Sequence, residues 1–436
     1  MPTTKTVLDL PEYKPYQARF MARLIQFTKM RRYYDGSIYS DSAFKLAHKL
    51  YAETRSLLSF LARAVDLDVA LVPGVMGPWA LKDGTPQAIM DAQAQLYEWS
   101  NWAIEGDDWL EDGATCGEAF IKIVPQVGIE GQPSTINLDR LKPEIAMYIP
   151  QHMVDGQVSD LLLIVDRAAI DSNGETYEYG EAITPAEVRT YRNGEPQGYN
   201  GDPDRFPNPL GFVPVVATKN SDRCDPTFAK ALPQIDSVNE LASYLGNIIG
   251  RHAEPQWAIA GAEQGELVKS GVNVWFLPAG AKLEAILAEI DVPGALAFIQ
   301  EIKGETKSNL PELAFDDLRA KNQIATETLE VQLVELDTKI WKMRRRYDAA
   351  MISAHHMAAM ASIVMGVEGL AVLAALHQMD FKRPVRPISE LEQIALEQAR
   401  LGLEVSKQMA SGEGMTTAAQ GQPSEAREPA NQEGQG

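Results

Sequence analysis

Apolar residues recur at helical spacing in the first quarter of the chain. Phe20, Leu24 and Phe27 share one helical face, and Asp35-Gly36 marks its stop. A second helical stretch is predicted over residues 42–65, with Leu46, Leu50, Leu57, Leu58 and Leu61 facing a core. A third is predicted over 85–102, opening behind Gly84-Thr85-Pro86, where an early proline suits a helix start. The period then changes. Residues 118–124, bounded by Gly117 and Pro125, read as a strand, and further strands are predicted at 145–149, 161–166, 176–179, 188–192 and 213–218. Arg192-Asn193-Gly194-Glu195 carries a hairpin-turn signal, and a loop rich in Pro, Gly, Asn and Asp spans 198–210.

Helical spacing returns over 233–252, where Ile235, Val238, Leu241, Leu245 and Ile248 lie on one face. Two short strand-like pieces, 256–260 and 272–277, surround a glycine-containing linker. A helix over 294–307 follows Pro293 and is interrupted at Asn309-Leu310-Pro311. Leu329, Leu333, Leu336, Ile340, Met343 and Tyr347 then recur at alternating steps of four and three, a heptad-like seam predicting a helix from Ala325 to Met351 or beyond. Lys339, Lys342, Arg344, Arg345 and Arg346 fall in the last turns of that predicted helix, where cations complement its dipole. An intersubunit contact to an acidic neighbour fits them better than nucleic acid does.

Met357 to Leu376 is nearly all apolar and has the length of a membrane span. Glu368 sits near its middle, where a charge is costly, and Gly366 and Gly369 flank it. Two short buried helices joined by a turn are the favoured reading. Ser389-Glu390-Leu391-Glu392 forms a capping box for a last helix to about Met409, and residues 411–436 read as a disordered tail.

Composition narrows the function classes. The chain has 436 residues, 45% of them apolar, enough for two to three domains with a real core. Its 40 Lys+Arg against 60 Asp+Glu give a net charge of −20, which excludes a basic surface that wraps nucleic acid. Only 2 cysteines, Cys116 and Cys224, point to a reducing site of folding without a disulfide framework. The N-terminus lacks the apolar segment of a secretory signal.

Chemical signals are weak. No phosphate-cradling Gly-x-x-x-x-Gly-Lys-[Ser/Thr] and no dinucleotide-type Gly-x-Gly-x-x-Gly occur. His355 and His356 are adjacent, so on a helix they diverge and suit one metal poorly; a surface or interface pair is expected. Cys116 with a distant His152 carries little weight as a nucleophile and base. The acidic run Glu105 to Asp112 could attract a hard cation but lacks the alternating EF-hand pattern, so a solvated acidic loop or helix face is expected. No catalytic residue, metal or cofactor is assigned.

Four stretches, in this order, resemble portal proteins of long-tailed double-stranded DNA bacteriophages. They are Arg31-Arg32-Tyr33-Tyr34-Asp35-Gly36, Asn208-Pro209-Leu210-Gly211-Phe212-Val213-Pro214-Val215-Val216, Asp236-x-x-Asn239 at the head of an apolar helix, and Leu310-Pro311-Glu312-Leu313 before the long helix. The likeness covers about residues 15–410. It implies an α+β, mainly α fold with wing, stem, clip and crown regions, a long kinked helix and small antiparallel sheets, closed into a ring, typically a dodecamer. On this chain the wing maps to 1–230, the stem helices to 231–252 and 290–308, and the clip to 253–289. The tunnel loop maps to 309–324, the long helix and return to the wing to 325–385, the crown to 386–410 and the tail to 411–436.

The implied function is non-enzymatic: a ring at one capsid vertex of the virion, assembled in the host cytoplasm, through which double-stranded DNA is packaged and ejected. Implied partners are further copies of the chain, the terminase large subunit, head-tail adaptor proteins, and the major capsid protein with its scaffold, and no membrane. Asn309, Glu312, Asp316, Asp317, Arg319 and Lys321 would border the channel; Arg319 and Lys321 either touch the DNA backbone transiently or, the slightly favoured reading, form salt bridges with Asp316 or Asp317. An acidic wall suits a sliding polyanion, because it repels DNA within about 8 Å at physiological salt instead of gripping it. The rival readings are another structural virion or assembly protein, such as a scaffold or capsid subunit, and a soluble cytosolic enzyme with a site around Glu105–Asp112 and Cys116.

Overall fold

The computed structural model describes residues 5–48, 60–73, 79–128, 133–154, 157–171, 173–198, 203–253, 256–260, 268–270, 274–276, 282–286, 292–313, 326–377 and 380–382. The predicted crown and tail lie outside these residues, as do 49–59 of the second predicted helix.

Helix α1 (Lys14–Tyr34) starts with a proline in its first turn and ends where Gly36 takes the left-handed conformation. It buries Phe20, Phe27, Met30 and Tyr33. The second stretch divides into α2 (Ser42–Ala47) and α3 (Leu61–Leu71). Leu46, expected in a core, is 82% exposed, because α2 packs through Phe44 against Tyr33 and Tyr39 and Leu46 lies two residues on, on the other side of the helix. The third predicted helix is α4 (Gln87–Trp99), followed after the left-handed Asn101 by α5 (Trp102–Cys116). The acidic run is therefore helix: Trp102, Trp109 and Leu110 anchor α5 in the core, and its carboxylates occupy the other positions.

Strands β1 (Glu118–Gln126), β2 (Thr135–Leu141), β3 (Ala146–Val154), β4 (Gln157–Ile170), β5 (Thr176–Ile183), β6 (Glu187–Arg192), β7 (Glu195–Pro196), β8 (Arg205–Pro207) and β9 (Val215–Lys219) follow. They form a sheet in the order β2-β1-β9 and a larger one in the order β3-β4-β5-β6-β7, with β8 also on β6, all antiparallel. The predicted turn joins β6 to β7: Asn193 and Gly194 both have positive φ, and Arg192 pairs with Glu195. Side-chain alternation explains the larger sheet's place. Leu161, Leu163 and Val165 of β4 pack with Val7, Leu8, Tyr13 and Phe20 on one face, while Leu162 and Ile164 pack with Phe120, Leu141, Val213 and Val215 on the other. Buried on both faces, the middle of β4, residues 161–165, reads as an unbroken apolar run.

Helix α6 (Leu232–Ala253) leads to β10 (Gln256–Ala260), β11 (Val268–Ser270), β12 (Val274–Phe276) and β13 (Lys282–Ile286), and α7 (Val292–Asn309) returns. β10 pairs with β13 and β11 with β12. The two helices pack through Val238, Leu245 and Ile299, with Leu241, Ala295 and Ile302 beside them. After a 3-10 turn at Pro311–Leu313 comes α8 (Thr326–Met365), 40 residues long, or roughly 60 Å at 1.5 Å per residue. Its seam residues Leu336, Ile340, Met343 and Tyr347 are all buried in the main core. The basic cluster is thus mid-helix, not in the last turns as expected. α8 continues because the Ala/Met-rich segment after Met351 keeps a helical apolar face, with Ala354, Ala358 and Ala361 fully buried. It stops before Gly366, and a 3-10 segment, Leu370–Ala375, packs back through Leu370 and Leu373. Among the described residues no helix is long and apolar enough to cross a membrane.

Candidate functional site

Three of the four motifs meet α6 or the end of α7, through Tyr33, Asp236 and Glu312. Tyr33 Oη, in the last turn of α1, donates to Asp236 Oδ2 in the first turns of α6 at 2.8 Å. Tyr39 stacks edge-on against Tyr33, with ring centroids 6.1 Å apart, and Asn239 of α6 is fully buried. Burial, then the Asp236 charge, pushes the Tyr33 phenol above its usual range, so it stays a donor. Burial likewise raises the Asp236 carboxyl, against the Tyr33 hydrogen bond. The second motif is a folded loop. Asn208 Nδ2 donates to the Thr184 and Phe212 carbonyls, both at 2.8 Å, while its Oδ1 accepts from Leu210 N at 3.0 Å. That loop delivers β9, whose following Asn220 donates to Gly113 O at 2.5 Å and accepts from Tyr347 Oη at 2.9 Å.

The fourth motif supplies Glu312 to a buried charge cluster. Glu312 and Asp68 are both 0% exposed and face Lys339 of α8. Lys339 Nζ donates to Glu312 Oε1 and lies 3.3 Å from Asp68 Oδ2. Burial pushes the Asp68 carboxyl up to about 7; Lys339 opposes this and the Glu312 charge reinforces it. Burial works against the Lys339 ammonium, yet the two carboxylates hold it above its usual range. One ammonium between two buried carboxylates ties α3, α8 and the end of α7 together.

Of the residues expected along a channel, Asn309 is half-buried at the end of α7. Glu312 is buried inside the chain, because it supplies Lys339 with a charge partner that water cannot reach there. Asp316, Asp317, Arg319 and Lys321 lie outside the described residues.

The acidic run has a different job from the one expected. Asp112, 0% exposed, is held by two guanidiniums: Arg140 Nε and Nη2 donate to it at 2.6 and 2.8 Å, and Arg31 Nη2 donates to its Oδ1. Arg31 also donates to Glu144 at 2.7 Å and Glu111 at 3.2 Å, and Arg140 to Asp108 at 2.5 Å. Such charge-assisted fans satisfy buried carboxylates and join α1, α5 and β2. No cluster of His, Cys, Asp and Glu able to hold a metal occurs among the described residues. Cys116 is buried and burial, then Glu144, pushes its thiol up, the opposite of a reactive nucleophile. His152 Nδ1, on β3, lies 2.6 Å from Tyr16 Oη of α1, whereas Cys116 Sγ faces Glu144 at 3.9 Å.

The basic cluster also separates by burial. Arg344 is 1% exposed; its Nη1 donates to the Val72 and Pro73 carbonyls at 2.6 and 2.7 Å, its Nε faces Asp348 at 2.5 Å, and its guanidinium lies 5.1 Å from the Trp79 ring. His355, expected at a surface or interface, is fully buried. Its Nδ1 donates to Met351 O at 2.6 Å, and burial pulls its pKa down to about 4. His356 Nε2 donates to Leu376 O at 2.9 Å, fastening the 3-10 segment to α8.

No family model matches the chain, and no curated protein matches it. A solved chain from the virion of a native gene transfer agent particle aligns with 82% of this chain and 87% of its own length, at 11% identity and a TM-score of 0.37. A likeness that low carries no weight on function.

Proposed function

We propose that this chain is the subunit of a portal ring of a tailed double-stranded DNA phage or phage-like particle. In that reading it stands at one capsid vertex of the virion, conducts DNA, docks the terminase during packaging and later holds head-tail adaptors. The α6–α7 pair is the stem, the strand pairs between them belong to the clip, and the segment after Glu312 borders the channel. What supports the reading is the order of elements from Leu232 to Met365: a helix out, small strand pairs, a helix back, a Pro break and a 40-residue helix. The net charge of −20 adds to it, since a lumen that grips phosphate would stall its cargo. The enzyme reading around Glu105–Asp112 and Cys116 loses ground, because Asp112 is neutralised by two arginines and Cys116 is buried with a raised pKa.

Mass photometry and negative-stain images of the purified protein test the proposal. A large ring with a central hole is expected. Monomers or dimers at every concentration, or a ring with a strongly cationic bore, overturn it.

A further inference from the structure

A groove of about 380 Å³ runs between the first turns of α6 and the returning α7. Its walls are Pro233, Phe298 and Ile302, and its polar lining is Gln234, Ser237, Glu301 and Glu305. Three features make it an unfilled acceptor site. Glu301 and Glu305 stand at i and i+4, where like charges repel, and no Lys or Arg lines the groove. Gln234 Oε1 is buried without a hydrogen-bond partner. Phe298 leaves 51% of its surface exposed beside these carboxylates. An aromatic wall with carboxylates at the rim fits the aliphatic stem and charged head of a lysine or arginine.

The same chain exposes such a group. Lys342, Arg345 and Arg346 lie at i, i+3 and i+4 on α8, opposite the buried Met343, Arg344 and Tyr347. Lys342 and Arg345 have no ion-pair partner among the described residues. Arg346 has one, Asp222 at 3.3 Å, itself 95% exposed. Arg346, 43% exposed, also donates to the Lys219 carbonyl at 3.4 Å, so the open positions of the stripe are Lys342 and Arg345. Among the described residues no ion pair joins this stripe to the groove within one chain.

We propose that the α6–α7 groove of one copy receives the Lys342–Arg345 stripe of α8 from a second copy. The two surfaces differ, so the contact is heterologous and repeats head to tail, the arrangement that generates a closed ring. The inference rests on the ring reading above and adds to it the pair of faces that close the ring. In a chain of net charge −20, two copies repel at long range. A local basic stripe seated in an acidic groove overcomes that repulsion where it fixes orientation.

The test is a charge swap on the full chain, read by mass photometry. Glu301→Lys with Glu305→Lys, and separately Lys342→Glu with Arg345→Glu, should each move the assembly midpoint at least tenfold higher in concentration. All four side chains are exposed, so circular dichroism and melting should match the wild type, separating an assembly defect from misfolding. The quadruple variant, with charges reversed on both faces, should recover assembly above either double variant. Double variants that assemble like the wild type overturn the inference while leaving the ring intact. So does a quadruple variant no better than the worse double. A wild type that never assembles removes the ring reading, and this contact with it.

Discussion

Tyr33 Oη and Asp236 Oδ2 are joined at 2.8 Å although 203 residues separate them. The bond fastens the end of α1 to the start of α6, at a site where Tyr33 is 2% exposed and Asp236 Oδ1 has no partner. Removing the hydroxyl leaves a half-buried carboxylate without its donor, and a hydrogen bond to a charged group contributes about 1.5–3 kcal/mol. Tyr33→Phe should therefore lower the urea midpoint by an amount equivalent to about 2 kcal/mol at unchanged m-value. Tyr34→Phe is the control. Its hydroxyl reaches Asp66 at 3.2 Å and Glu111 at 3.4 Å in a more exposed setting, so its loss should cost well under 1 kcal/mol. Equal effects from the two tyrosines would refute this account of the motif.

Arg344 is the one member of the basic cluster turned wholly inward. Replacing it by Met keeps much of the stem packing against Trp79 but strands the Val72 and Pro73 carbonyls and leaves the Asp348 carboxylate without its cation, held by Trp79 Nε1. Loss of one partner from a buried charge network costs about 3–5 kcal/mol. Arg345→Met, one position along and exposed, should change chemical stability by less than about 0.5 kcal/mol. Urea melts of the two variants decide the point, and a mild effect at Arg344 would refute the buried network.

Much of this was readable along the chain. Helices α1, α6 and α8 announce themselves by apolar spacing because each buries one continuous stripe, and β4 by an apolar run because both its faces are covered. Strand β2 escapes the sequence pattern although Ile136, Leu138 and Leu141 are buried, since Asn137, Asp139 and Arg140 dilute the signal. What hid α5 was its acidity: the reason for Asp112 lies in Arg31 and Arg140, 81 and 28 residues away, and periodicity cannot report a partner so distant. The same holds for Glu312 and Lys339, whose meeting inside the core depends on how α7 ends and α8 begins. Apolar spacing gave α6 its bounds, and only the fold showed that Tyr33 and Asp236 touch at its start.

Glycine positions offer a sharper contrast. A Cβ on Gly113 would fall 1.7 Å from Tyr347 Oη, and Tyr347 is locked between Trp109, at 4.9 Å between centroids, and Asn220. Gly113→Ala must displace that ring, and overpacking of this kind costs about 1–3 kcal/mol or more. Gly304, inside α7, has nothing within 4 Å of an added Cβ. Gly304→Ala should stabilise by about 0.5–1 kcal/mol through helix propensity alone. Differential scanning calorimetry should move the two melting temperatures in opposite directions; a shift of the same sign would count against the packing described around Tyr347.

Two buried titrating groups pull the pH dependence in opposite directions. Asp68 is held up to about 7, mainly by burial, so between its ordinary range near 4 and pH 7 the folded chain binds a proton that the unfolded chain has lost. Stability from Asp68 is complete at low pH and falls as pH rises through that window. His355 is held down to about 4, again by burial, so between pH 4 and its ordinary 6.5 the unfolded chain binds the extra proton. Stability from His355 is complete above 6.5 and falls as pH drops. Each slope is at most about 1.4 kcal/mol per pH unit, and across pH 4.5–6.5 they oppose each other in the wild type. Asp68→Asn lets an amide donate where the carboxyl's proton stood, leaving Glu312 and Lys339 as a neutral pair. Relative to the wild type, its stability should rise with pH over that interval. His355→Gln removes the other titration, and its stability relative to the wild type should fall over the same interval. Denaturant melts at pH 4.5, 5.5 and 6.5 give both differences, and parallel lines for all three proteins would show that neither group titrates in the fold as described.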